Sequence, residues 1–189
     1  MNLTKNAIID AFWLLLDEKP YNKITVKDIV NRCQINRNTF YYHFHDIPEL
    51  LETAVKNDTD QIIHTYSKGG SLLEFITYFI DHSLDRKRAI LHIYRSVFRE
   101  YFINELDRIV LYAITKYMDT VDAQHPIHPD DKLLLIRFYK CLSIGILLDW
   151  LNDGMQYDLS RYISRIGALF HGAVEQAYET ALQSVSKKP

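Results

Sequence analysis

The chain has 189 residues and a mass of 22.3 kDa, a size that buries roughly 70% of its unfolded surface and holds a core without disulfides or a structural metal. Its 48% hydrophobic and 24% charged residues exclude disorder, two cysteines exclude a disulfide framework, and no uncharged apolar run approaches the ~20 residues of a membrane span. Twenty-two basic against 24 acidic residues leave a net charge of −2, which argues against a nucleic-acid partner, because a basic surplus is the usual footprint.

With no signal segment in view and no disulfide framework, a cytoplasmic protein is expected. Six glycines and five prolines are few breakers, and few turns favour long helices over many short strands. Ile8, Ala11, Phe12 and Leu15 share one face of a first helix, which Lys19-Pro20 stops. Thr25, with Asp28 three residues on, opens a short second helix whose inward residues are Val26, Ile29 and Val30; it ends near Cys33-Gln34. Asn36 caps a third short helix through Thr39, Phe40, Tyr41 and Phe44. Asp46, Pro48 and Glu49 open a fourth, which runs to about Tyr66 and is closed by Lys68-Gly69-Gly70.

Ser71 with Glu74 begins the next helix, striped by Leu72, Phe75, Ile76, Phe79 and Ile80. A break near Asp85 and a short segment to about Ile93 precede a long helix from about Tyr94 to Met118. Val121 to Pro129 reads as a loop. Asp130 then caps a helix to Leu151, terminated at Gly154. Asp158 or Ser160 opens a last helix carrying Ile163, Ile166, Phe170, Val174, Ala177 and Ala181, and the tail from Ser184 is polar. The chain is expected to be all-α, with about nine helices, no strand and no internal repeat.

Residues 25–45 have the spacing of a helix-turn-helix, two short helices behind a longer one, in which the second short helix would face base edges in the major groove. Between Asp28 and Asp46 there is no acidic residue, while Arg32, Arg37, His43 and His45 join the donors Asn36, Asn38, Thr39, Tyr41 and Tyr42. Phosphates need donors and local positive charge, and base edges need bidentate Arg or Asn. Charge acts over a Debye length of ~8–10 Å, so this strip outweighs the global sum.

The run T-V-K-D-I-V-N-R-C-Q-I-N-R-N-T-F-Y-Y-H-F-H-D-I-P-E-L-L at 25–51 resembles the DNA-binding segment of the TetR family of bacterial transcription regulators, most specifically in the spacing of Tyr41, His43, Phe44 and Leu50. D-W-L-N-D-G-M at 149–155 resembles the end of the penultimate helix in the subgroup that includes the regulator of dihydroxyacetone kinase genes. The resemblance implies a three-helix DNA-binding domain at 1–48 and a helical effector-binding and dimerisation domain at 49–189. It places Arg37 and Asn38 as base readers, and Thr39 and Tyr41 at groove-facing and backbone-contacting positions. Tyr42 and His43 would hold phosphates, with Thr25, Lys27 and Asn36 nearby. Ile29, Phe40 and Phe44 would form the core of the motif. Two positions depart from the family pattern. The usual turn glycine is Gln34, costing about 1 kcal/mol if φ must be positive, and a phosphate-gripping lysine is replaced by Ile47. Residues 1–50 hold six basic and six acidic residues, so weak affinity per reading head is expected.

Tyr78, Phe79, His82, His92, Tyr94, Phe98, Tyr101 and Tyr112 fall on helices that line ligand cavities in the resembling family, although aromatics at helical spacing also simply fill cores. The last two helices carry small residues and offer a four-helix interface between two copies through Phe138, Cys141, Gly145, Trp150, Ile163, Gly167, Phe170 and Val174; Trp150 would fit the core equally well. Both cysteines are expected to be buried. His125 and His128 beside Asp130 and Asp131 are a weak metal signal; a solvated loop fits better, and no cofactor or catalytic constellation is expected. The expected function is a homodimeric, ligand-responsive repressor acting on a palindromic operator in double-stranded DNA. The alternative is a protein-interaction module, or a co-activator-dependent activator with weak intrinsic DNA binding.

Overall fold

The computed structural model describes residues 2–68, 71–123, 127–170, 172 and 180. Among these are nine α-helices and no strand: α1 (Asn2–Glu18), α2 (Val26–Cys33), α3 (Arg37–His43), α4 (Ile47–Ser67), α5 (Leu72–Asp85), α6 (Lys87–Tyr94), α7 (Arg99–Asp122), α8 (Pro129–Asn152) and α9 (Leu159–Leu169). A single 3-10 turn, Tyr21–Lys23, separates α1 from α2. The chain forms two compact units, Met1–Ser67 with Asp81–Leu106, and Lys68–Ile80 with Asp107–Pro189. Packing thus groups residues otherwise than a functional boundary at residue 48 does.

The first unit is built around α1. Its stripe of Ile8, Phe12, Leu15 and Leu16 is buried, and α1 packs on α2, α4 and α6. Ile29, Phe40, Phe44, Leu50, Leu51 and Ile93 complete the same core. Each fully buried side chain of this size contributes about 1.5–3 kcal/mol. The carbonyls of the last turn of a helix have no intrahelical donor. One of them, Leu16 O, accepts a 2.6 Å hydrogen bond from His92 Nδ1 on α6. Because a carbonyl only accepts, the His92 proton must sit on Nδ1.

The α2–turn–α3 hairpin rests on three local devices. Thr25 and Asp28 form a capping box: the Thr25 side chain accepts from Asp28 N at 3.2 Å, and Asp28 accepts from Thr25 N at 2.8 Å. Lys19 also pairs with Asp28 at 2.8 Å, and these bonds hold the Asp28 carboxyl down at about 2. Asn36 accepts from Thr39 N at 2.9 Å and starts α3. Between them Gln34 adopts φ 55°, ψ 40°, with Ile35 N donating to Val30 O at 3.0 Å and Gln34 N to Asn31 O at 3.4 Å. This is the Schellman closure, and a non-glycine residue occupies the left-handed position at which the resembling family usually has glycine.

In the second unit, α8 ends by the same closure. Gly154 has φ 71°, Met155 N donates to Trp150 O at 2.7 Å, and Gly154 N donates to Leu151 O at 3.0 Å. Trp150 is 2% exposed, and its indole N–H donates to Tyr157 O at 3.0 Å. The Tyr157 hydroxyl donates to Asp149 at 3.1 Å, and burial together with that carboxylate pushes its pKa to about 12. Asp158 caps α9 through Arg161 N.

The structure corrects several boundaries. α7 begins at Arg99, five residues after the position read from periodicity, because Ser96 Oγ bonds Ile93 O and Phe98 N and closes a turn there. α7 continues to Asp122, so the loop is shorter than expected. His128, not Asp130, caps α8, accepting from Asp130 N at 3.3 Å, with Pro129 in the first turn. Cys33 is half-buried, but Cys141 is exposed on α8, so only one thiol packs inward. Val174, Ala177 and Ala181 lie outside the described residues.

Two predictions follow from the hairpin. Gln34→Gly relieves the left-handed backbone and raises the unfolding free energy by up to about 1 kcal/mol, read from the denaturant midpoint. Asp28 has a folded-state pKa below its unfolded one, so its stabilisation is complete above pH ~4 and is lost as pH falls through about 2. Asp28→Asn therefore lowers Tm at pH 7, and the gap to the parent closes in melts run between pH ~4 and pH ~2.

Candidate nucleic-acid interface

Phe40 and Phe44, one helical turn apart, point into the core at 0% and 1% exposure. That phase turns Arg37, Asn38, Tyr41 and Tyr42 outward, with the two tyrosines 55% and 69% exposed. Thr39 and His43 lie half-buried at the flanks of this face. Tyr41 stacks edge-on against Phe40 and Tyr42 against His43, with centroids 5.4 and 5.0 Å apart, which restrains both exposed rings. Asn36 and Thr25 are engaged as caps, so their side-chain oxygens set helix starts first. Lys27 is exposed on α2, without an ion pair among the described residues.

Ion pairs divide the local charge in a way the sequence does not reveal. Arg32, part of the acid-free strip, donates one guanidinium nitrogen to both oxygens of Glu18 at 2.8 Å. Lys19 is held by Asp28. Arg37 and Lys27 remain as the cations of the α2–α3 surface among the described residues. The sequence reading missed Lys5, whose Nζ lies 5.2 Å from the Phe44 ring centroid and brings a charge from α1 to the end of α3. The available signal was its position at the head of the Ile8–Phe12 stripe. Ile47, in place of a lysine, packs partly buried against the core. Glu49 accepts from His45 N at 2.6 Å and donates its own N–H to Asp46 at 2.8 Å, fixing the start of α4 directly behind α3.

The aromatic set proposed for a ligand cavity is not brought together. Five members serve the first unit. His82 Nε2 contacts Asp58 at 3.0 Å, beside Arg86 stacked on Trp13, and His92 bonds α1. Tyr94 lies under the Arg99 guanidinium, Phe98 packs on Tyr21, and the Tyr101 hydroxyl donates to Glu52 O at 3.1 Å. In the second unit a cavity of about 630 Å³ lies among α5, α7, α8 and α9, and of the eight residues only Phe79 lines it; Tyr78 and Tyr112 do not. Of the interface set, Phe138, Cys141, Gly145, Gly167 and Phe170 are exposed, and Ile163 is half-buried along the cavity. Trp150 is core, since burial and its bond to Tyr157 remove it from any surface. Val174 and His125 lie outside the described residues. Among the described residues no three metal-ligating side chains gather, and no helix is long and apolar enough to cross a membrane.

Comparison with known proteins bears on this geometry. Residues 8–54 match the family profile described as bacterial regulatory proteins, tetR family, and residues 70–172 match one described as a transcriptional regulator C-terminal region. The HTH-type transcriptional regulator YxbF of Bacillus subtilis (strain 168) is 28% identical over 155 residues, 80% of this chain and 40% of that protein. The HTH-type dhaKLM operon transcriptional activator DhaS of Lactococcus lactis subsp. lactis (strain IL1403) is 27% identical over 116 residues, 57% of this chain and 61% of that protein. The matches thus span 40% to 61% of these relatives' own length. A solved structure titled dihydroxyacetone kinase operon activator DhaS shares the fold with TM-score 0.76 and 19% identity, covering 93% of this chain and 98% of that one. The helix-turn-helix frame of α1–α3, the all-helical body that follows it in the sequence and the two profile matches together place this chain in the TetR family of bacterial transcription regulators.

Proposed function

We propose that the protein binds double-stranded DNA through α3 as a homodimer and acts as a ligand-responsive repressor. The observation that carries this is the outward face of α3. Arg37 and Asn38 stand at its exposed N-terminal end, and Tyr41 and Tyr42 follow one turn on, over the buried Phe40 and Phe44. Helix N-terminal residues of this kind reach base edges, while tyrosine and histidine hydrogen-bond phosphates. Paired half-sites require two copies. The outer face of α8 supports self-association, with Leu134, Phe138 and Leu142 66%, 59% and 47% exposed at helical spacing. A Cβ at Gly145 or Gly167 would meet nothing within 4 Å, so packing within one protomer does not demand either glycine. Close approach of a second copy's helices gives both a purpose. An effector would shift the population toward a head spacing that mismatches the operator.

A second reading is a co-activator-dependent activator, or a protein-interaction module, with weak intrinsic DNA binding. The relative DhaS is named an activator, and the charge pairing around α2 leaves few free cations per head. Pull-down from a lysate separates the readings: only DNA-dependent partners would count against the second.

Selection from random duplexes at low salt should return a palindromic site, and no specific site would refute DNA reading. Arg37→Ala should relax preference at one base pair by about 1–3 kcal/mol, whereas His43→Ala should weaken binding evenly across sequences. The slope of log affinity against log salt should be shallow, in keeping with few phosphate contacts per head. Phe138→Glu should give a helical monomer by sedimentation and lose cooperative binding to paired half-sites.

A further inference from the structure

The cavity of the second unit differs in kind from the aromatic, polar pocket that sequence reading placed on α5 to α7. Its volume of about 630 Å³ falls within the range that holds a small organic molecule. Four helices wall it. Phe75 and Phe79 come from α5, Val110 and Ile114 from α7, and Ile146 and Ile166 from α8 and α9. Among the described residues that line it, none is Asp, Glu, Lys, Arg, His, Asn or Gln. Among the same described residues the side-chain hydroxyls are those of Tyr139 and Ser143, one turn apart on α8. A charged group carried into such a space loses its hydration without gaining a counter-ion, a cost of several kcal/mol. A hydrocarbon body gains free energy with every part of its surface that leaves water, and one neutral hydroxyl or carbonyl can hydrogen-bond at Ser143 or Tyr139.

We infer that this cavity is a binding site for an uncharged lipophilic small molecule, an alkyl or alicyclic body with at most one neutral polar group, held against α5, α7, α8 and α9 with that group toward Ser143 and Tyr139. The inference rests on the regulator reading only in treating the ligand as an effector. The selectivity itself belongs to the cavity wall.

The test uses the full chain without DNA. Decanol, decanoate and decylammonium share one chain and differ in head-group charge. Each is titrated against the protein by displacement of the neutral dye phenylnaphthylamine and, independently, by calorimetry. Decanol should saturate at one site per chain and bind at least about tenfold tighter than either ion. Equal affinity for decanoate, or no saturable binding of decanol, overturns the inference. Ser143→Lys, checked for helicity by circular dichroism, should reverse the order in favour of decanoate. A folded variant that keeps the parent's order shows that the site lies elsewhere and also overturns it. Should Ser143→Lys fail to fold, the head-group series in the parent chain decides alone. Because none of these titrations contains DNA, failure to find an operator refutes the regulator reading and leaves this one standing. Operator binding together with indifference to head-group charge refutes this one alone.

Discussion

One apolar stripe on α1 is shared by three partners, and the first unit exists because of it. Ile8, Phe12, Leu15 and Leu16 are covered by α2, by α4 and by α6, so helices from distant parts of the sequence meet on one surface. The α2–α3 hairpin is too short to be stable alone, since helices of seven or eight residues gain little from backbone hydrogen bonding in water. It holds its shape because Ile29, Phe40 and Phe44 close over the stripe. The His92–Leu16 bond then pins α6 to the end of α1 at a carbonyl that would otherwise be orphaned. The frame under α3 thus depends on a bond between residues seventy-six positions apart.

Much of this frame is legible in the sequence, for local reasons. The period of apolar residues identified the inward faces of α1 to α3, and the side chains of Thr25, Asn36, Asp46, Ser71 and Asp158 cap helices at the expected places. The left-handed turn at Gln34 is indicated only by the family pattern, in which glycine usually holds that position. The errors came from signals that are ambiguous within a short window. Ser96 has no special neighbours in sequence, yet its hydroxyl separates α6 from α7. His128 followed by proline is a less common cap than aspartate, so the sequence points to the acid two residues on.

The candidate sites show a different limit. Phase within α3 tells which residues face outward, and there the sequence reading and the geometry agree on Arg37, Asn38, Tyr41 and Tyr42. It does not tell which distant partner claims a charge. Arg32 and Glu18 are fourteen residues apart, and only the packing of α2 on α1 brings them together. The cavity failed for a related reason. Tyrosine and histidine combine apolar and polar surface, which suits a pocket but suits a helix junction equally. Histidines 82 and 92 and Tyr101 hydrogen-bond neighbouring helices there. Plain Ile, Leu and Phe side chains were left to line the hollow, and nothing in their order along the chain marks them out from an ordinary core.

The chain's two tryptophans lie one in each compact unit. Trp13 lies beneath the Arg86 guanidinium, 4.6 Å from the ring, and Trp150 is sealed behind Tyr157. The cationic cover of one ring and the apolar, hydrogen-bonded seat of the other give them distinct emission environments. The protein therefore carries an intrinsic optical label on each unit. With a phenylalanine at either position, fluorescence follows the loosening of the other unit alone, and the order in which the two halves melt becomes directly observable.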